Sequence, residues 1–145
     1  MFIVNVEGAI FKEDKWLMIE RSNKEEHAGG SLSLIGGKVE LEGNTIDILE
    51  RTLRREIYEE VGVNVSNTMN YICSTSFVTE KGEHVVDVVF LCEYESGEAY
   101  ARAKDEVEDV FWLSSEEVLA HPNNPDFLKA YIQQAQLLKT KLLVN

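Results

Sequence analysis

Apolar and polar positions along the chain fall into blocks of two different periods. Residues 2–11 are rich in Ile, Val and Phe and predict a strand; after a turn at Lys12–Asp14, Trp16–Ile19 predicts its hairpin partner. Residues 22–31 are polar and then carry Gly29-Gly30, which reads as a loop. Ser31–Ile35 is a short strand candidate that ends at Gly36-Gly37. From Asp47 to Val61 the period becomes helical: Leu49, Leu53, Ile57 and Val61 recur every four residues, and Gly62 supplies a C-terminal stop. Asn44, Thr45 and Asp47 are all eligible to cap its start. Val63–Val65, Tyr71–Thr79 and Val85–Tyr94 return to strand character, with the turn signal Glu80-Lys81-Gly82-Glu83 between the last two. Val110–Leu113 predicts another short strand, Ser114 and Ser115 before Glu116 and Glu117 a capped short helix, and Asp126–Leu142 a final helix. No linker, repeat or low-complexity tract interrupts this order. It predicts one α+β domain over residues 1–145, an α/β/α sandwich with a mixed, mainly antiparallel sheet between helices.

Composition narrows the function. A chain of 145 residues buries a substantial core without disulfides or structural metal. Its net charge of −12 repels phosphate backbones and anionic lipid, which argues against a nucleic-acid polymer or a membrane surface as partner. An acidic protein that works on polyphosphates has to bring cations to them. Cys73 and Cys92 stand in apolar strands without CxxC spacing and read as buried free thiols. The opening MFIVNVEGAIF lacks a basic n-region and is broken by Asn5 and Glu7, so it does not read as a signal peptide. No apolar run reaches transmembrane length, and the expected location is cytoplasmic. His27, His84 and His121 lie in loop, turn and pre-proline settings and read as surface residues.

The densest chemistry lies in Arg55-Glu56-Ile57-Tyr58-Glu59-Glu60-Val61-Gly62-Val63. At about 100° per residue, Glu56, Glu59 and Glu60 fall within roughly a 100° arc, so their carboxylates are expected to converge. A charge run on a helix is usually a solvated face. Here Leu49 projects between Glu56 and Glu60, at the edge of the stripe formed by Leu53 and Ile57, which sets the acids at the rim of the core. Hard oxygen ligands presented together suit Mg²⁺ or Mn²⁺. Gly36-Gly37 permits a simple turn or a close backbone approach to a metal or phosphate.

These segments resemble the Nudix box of the Nudix hydrolases, G-x5-E-x7-R-E-U-x-E-E-x-G-U with U a bulky apolar residue. Arg55, Glu56, Ile57, Glu59, Glu60, Gly62 and Val63 match its second half, and Gly36-Gly37-Lys38-Val39-Glu40 resembles its usual opening. Val6–Phe11 and Leu17–Arg21 resemble the family's early strands, and Glu106 followed by Trp112 its acidic-then-Trp ending. The departures are specific. From Gly37 to Arg55 the chain is four residues longer than the pattern, and the pattern's first Glu falls on Asp47, leaving Glu42 or Asp47 for that outer role. Leu32 and Ile35 stand where Trp and Pro are frequent.

The resemblance implies a MutT-like pyrophosphohydrolase. It cleaves a diphosphate bond in a nucleoside diphosphate linked to another moiety: a nucleoside triphosphate, nucleotide sugar, ADP-ribose or dinucleotide. It implies Glu56, Glu59, Glu60 and the Gly37 carbonyl as ligands of Mg²⁺ or Mn²⁺, Arg55 as the residue that orients a glutamate, and Glu56 or Glu106 as general base. Glu106 alternatively serves as an extra ligand or as part of a solvated acidic loop. The competing expectation is a non-catalytic nucleotide-binding or regulatory module on the same fold. The apolar strands and C-terminal helix leave room for a homodimer contact. Substrate identity rests on loops outside the box.

Overall fold

The computed structural model of the chain describes residues 1–23 and 30–144; His27 lies outside the described residues. β1 (Phe2–Lys12) is the central strand, because its side chains feed two cores in alternation: Val6 and Ile10 enter one, Ala9 the other. Along one edge it pairs in parallel with β6 (His84–Ser96), in register from Phe2↔His84 to Phe11↔Glu93. β5 (Asn64–Val78) pairs antiparallel with β6. On the other edge β1 meets β2 (Lys15–Arg21) only at Phe11↔Trp16 and Lys12↔Lys15, and β4 (Ile35–Lys38) takes up that edge at Asn5–Gly8. β2 pairs instead with β3 (Leu32–Ser33) and β7 (Val107–Leu113). The result is a mixed seven-stranded sheet ordered β3-β2-β1-β6-β5, with β4 on β1 and β7 on β2.

Helices cover both faces. α1 (Ile48–Val61) buries Leu53, Ile57 and Val61 against Val6, Ile10, Val63 and Phe90. Each such side chain contributes about 1.5–3 kcal/mol by leaving water. On the opposite face α2 (Ser115–Ala120) and α3 (Asp126–Val144) bury Val118, Leu128, Ile132 and Ala135 against Trp16, Met18, Val89 and Leu91. The expected α/β/α arrangement is the observed one.

Two strand expectations change. The segments read as Val63–Val65 and Tyr71–Thr79 are one strand, β5, with register shifts between Val65 and Met69 and between Tyr71 and Cys73. Its polar middle, Ser66–Thr68, hid it: there the ladder to β6 shifts register between Val65 and Met69, at the edge of the sheet where side chains face water. Gly36-Gly37 does not end a strand either, but lies inside β4. A Cβ at Gly36 would sit 1.9 Å from the Val6 carbonyl oxygen, so the glycine there serves close strand approach. Among the described residues no helix is long and apolar enough to cross a membrane.

Candidate functional site

The site begins with the C-terminal half of α1. Its end is held by the chain that follows β6: the backbone amides of Arg102 and Ala103 donate to the Glu60 carbonyl at 2.9 and 3.3 Å, and Tyr100 N–H donates to the Val61 carbonyl. Gly62 adopts φ 71° and closes the helix with its N–H on Tyr58 O. The same segment delivers Glu106, whose amide donates to Ala103 O and whose carbonyl accepts from Ser22.

Glu60 points inward. It is only 4% exposed, and its Oε2 has no hydrogen-bond partner. Burial first, then the charges of Glu56 and Glu106, push its carboxyl up to about 9. Burial also raises Glu56, against the opposing pull of Arg55. Glu56 lies against Gly37, where a Cβ would meet its Cδ at 2.4 Å. Two carboxylates are thus crowded together beside a glycine in β4. A cation satisfies such a pair, and the partnerless Glu60 oxygen is the observation that favours one.

The predicted trio is split. Glu59 is half-exposed and accepts from Arg55 Nη1 at 3.4 Å, while the same Arg55 nitrogen donates to Glu56 at 3.2 Å. Arg55 therefore bridges the two glutamates, with Glu59 turned outward. Among the described residues no three His, Cys, Asp or Glu side chains form a ready metal cage. Mg²⁺ commonly takes one or two carboxylates and fills its other positions with water and phosphate, so a pair with a backbone carbonyl suits it. Neither residue considered for the outer acidic role reaches the pair's cleft. Glu42 pairs with Arg51 at 2.8 Å, and Asp47 occupies the N-cap position of α1 with φ 58° and no side-chain capping bond.

Glu56 and Glu60 line a cleft of about 790 Å³, together with Gly37, Lys38, Arg21 and Glu106. It lies where β1 and β2 diverge. The same cleft takes in Asn5, Glu7, Asp87 and Tyr131, none of which was singled out as a functional candidate from sequence. Asp87 is 2% exposed; its Oδ1 accepts from Asn5 Nδ2 at 3.0 Å and its Oδ2 from the Tyr131 hydroxyl at 2.8 Å. Glu7 is hydrogen-bonded to Asp87 and also feels the charge of Glu60; burial above all holds its carboxyl well above the usual range. The available signal was polarity inside apolar runs, as in Val85-Val86-Asp87-Val88-Val89. Periodicity alone does not show that Glu7 and Asp87 meet.

A family model for the NUDIX domain matches residues 1–134. The chain belongs to the NUDIX domain family. A curated relative, the NAD-capped RNA hydrolase NudC of Photobacterium profundum, is 32% identical over 112 residues. That match takes in 77% of this chain but only 38% of NudC, so the chain spans well under half the length of that relative. Among solved structures, a MutT NUDIX hydrolase from Burkholderia pseudomallei aligns with TM-score 0.78 at 27% identity, covering 92% of this chain and 98% of that one. The NUDIX domain of Shewanella oneidensis NrtR, complexed with ADP ribose, shares the fold at TM-score 0.73 and 21% identity, over 95% of this chain and 88% of that one. The NUDIX segment of this chain therefore includes β4, the lengthened loop and α1, the elements that bring Gly37 against Glu56.

The remaining titratable candidates sit elsewhere. His84 packs edge-on against Phe2, and His121 Nδ1 accepts from the Asn123 amide after α2. Cys92 is buried and Cys73 half-buried, both free thiols, in keeping with the sequence expectation only for the first. Cys73 lies on the edge strand β5, which leaves it partly open to water.

Proposed function

We propose that the chain hydrolyses a diphosphate bond in a nucleoside diphosphate linked to another moiety, acting as a Nudix pyrophosphohydrolase. Glu56, Glu60 and the Gly37 carbonyl, with Glu59 after release from Arg55, would hold Mg²⁺ or Mn²⁺. Such an ion supplies neutralisation of phosphate charge and a lowered pKa for water. Lys38, a cation in the cleft wall, offsets further charge on the diphosphate. Glu106 lines the same space as Glu56, which supports either of them as the group that would accept a proton from an attacking water. Arg55 acts as a positioning residue that bridges Glu56 and Glu59.

The buried, partnerless oxygen of Glu60 beside Glu56 is the observation that carries this reading. ADP ribose, bound by the NrtR NUDIX domain, is a nucleoside diphosphate derivative of the proposed class. The net charge of −12 suits a small metal-bound nucleotide better than a polymer or membrane, and the proposed location is cytoplasmic.

The test is phosphate or nucleotide release from a panel of nucleoside triphosphates, nucleotide sugars, ADP-ribose and dinucleotides, with Mg²⁺, Mn²⁺ or chelator. Turnover should require the ion and fall by roughly a hundredfold or more in Glu56→Gln, Glu59→Gln and Glu60→Gln with circular dichroism unchanged. Full activity in Glu60→Gln, or in chelator, defeats the metal site.

A further inference from the structure

Beyond the glutamates of α1, the cleft has a floor whose chemistry faces a different part of a ligand. Asp87 is buried near the start of β6, where its oxygens accept from Asn5 and Tyr131 and it is also hydrogen-bonded to Glu7, so it is held from three sides. Tyr131 is in turn tied to Thr75 across the fold through their hydroxyls. This fixed set of bonds leaves Glu7 and Asn5 as the polar groups turned to the open space. Asn5 spends one Nδ2 proton on Asp87 and keeps the second as a donor, with its Oδ1 as an acceptor. The Glu7 oxygen that is not engaged with Asp87 is an acceptor whether the carboxyl is neutral or ionised. The floor therefore presents mainly acceptors.

One wall above that floor is aromatic. Phe77 and Phe127, both substantially exposed, line the cleft with ring centroids 6.4 Å apart, and Phe127 stacks on Tyr131 at 6.2 Å. Exposed rings over a polar floor suit a flat heterocycle that stacks and hydrogen-bonds by its edge. A second feature points to a ligand in the same space: the 4%-exposed Glu60, whose Oε2 has no hydrogen-bond partner, lines it, and Glu7 feels that group's charge.

We infer that Glu7 and Asn5, held by Asp87 and Tyr131, read the amino edge of a nucleobase, so that this chain prefers amino-bearing bases to their keto counterparts. This rests on the proposed action on nucleoside diphosphate derivatives and adds which of them are selected. Cytosine and adenine turn an amino donor toward the acceptors. Uracil and hypoxanthine place a carbonyl oxygen there and leave two acceptors opposed.

Matched pairs isolate the edge: CTP against UTP, and ATP against ITP, differ there and share their phosphates. The expected kcat/KM ratio favours the amino member by roughly tenfold or more in both pairs, because a site with unpaired buried polar groups rejects the analogue. Glu7→Gln, whose amide can turn a donor inward, should bring both ratios within about threefold. Tyr131→Phe removes one of the bonds that hold Asp87 and should lower the ratios as well. The ratio within a pair is insensitive to general loss of folded protein, so a merely structural effect leaves it in place. Calorimetry with CMP, UMP, AMP and IMP on the metal-free protein supplies a readout independent of turnover. Ratios near one, inverted ratios, or ratios unmoved by Glu7→Gln overturn the inference and leave the hydrolase reading intact. Selective binding of CMP and AMP without turnover of any nucleotide defeats the hydrolase reading and upholds the floor. No binding of any nucleotide together with no turnover overturns both.

Discussion

The Glu56 carboxyl occupies the space that a side chain at position 37 would need: a Cβ on Gly37 would lie 2.4 Å from its Cδ and 2.6 Å from its Oε2. Gly36, one residue earlier, is closed off by backbone instead, with Val6 O at 1.9 Å and Glu7 Cα at 2.8 Å. Adjacent alanine substitutions should thus fail differently. Gly37→Ala displaces the movable end of a glutamate, so turnover should drop by roughly a hundredfold with a stability change within about 1 kcal/mol. Gly36→Ala forces β4 off β1 and should cost about 3 kcal/mol or more. Thermal melts beside kinetics on both variants decide it; equal destabilisation by the two would contradict the geometry.

In the metal-free protein, Glu60 should make stability fall with pH. Its folded pKa, about 9, lies above the ordinary glutamate value. Its contribution is therefore complete at pH below the unfolded value, near 4.3, and is lost as pH rises toward 9. The loss amounts to about a few kcal/mol at its limit. Melting temperatures in chelator across that window should decline for the wild type and flatten for Glu60→Gln. Parallel curves would remove the assignment. Mg²⁺ favours the carboxylate and should reverse the trend.

Cys92 should resist thiol reagents in the folded state. Its side chain is fully buried, and burial pushes its thiol up to about 12. Cys73, half-buried on the edge strand, should label first, though burial and then the charges of Asp87 and Glu7 raise it too. Mass spectrometry after brief alkylation, with and without denaturant, distinguishes the two. Native labelling of Cys92 ahead of Cys73 would contradict the packing.

α2 offers a control remote from the cleft. Ser114 accepts from the Glu117 amide at 3.1 Å, and Glu117 accepts from the Ser114 amide at 2.9 Å, a reciprocal capping box. Ser114→Ala should cost about 1 kcal/mol, which lowers the melting temperature by about 2–4 °C, and leave kcat/KM unchanged. A loss of turnover larger than the loss of folded protein would tie α2 to the site.

Local pattern was enough for α1, its Gly62 stop, the Ser114 cap and the β1–β2 hairpin, because each depends on neighbours within a turn or a hairpin; it divided β5 in two and ended a strand at the glycines that β4 contains. The box itself was legible for the same reason: Arg55, Glu56, Glu59 and Glu60 lie within six residues. Periodicity places side chains on an arc but does not say which of them the rest of the protein buries. The packing of β4 and the 100–106 segment drew Glu56 and Glu60 inward and left Glu59 with Arg55. Asn5, Glu7, Asp87 and Tyr131 are joined only through the parallel β1–β6 pairing and the docking of α3. Contacts between residues about eighty positions apart depend on which strands become neighbours, and that outcome follows from burying both faces of one sheet rather than from any single stretch of chain.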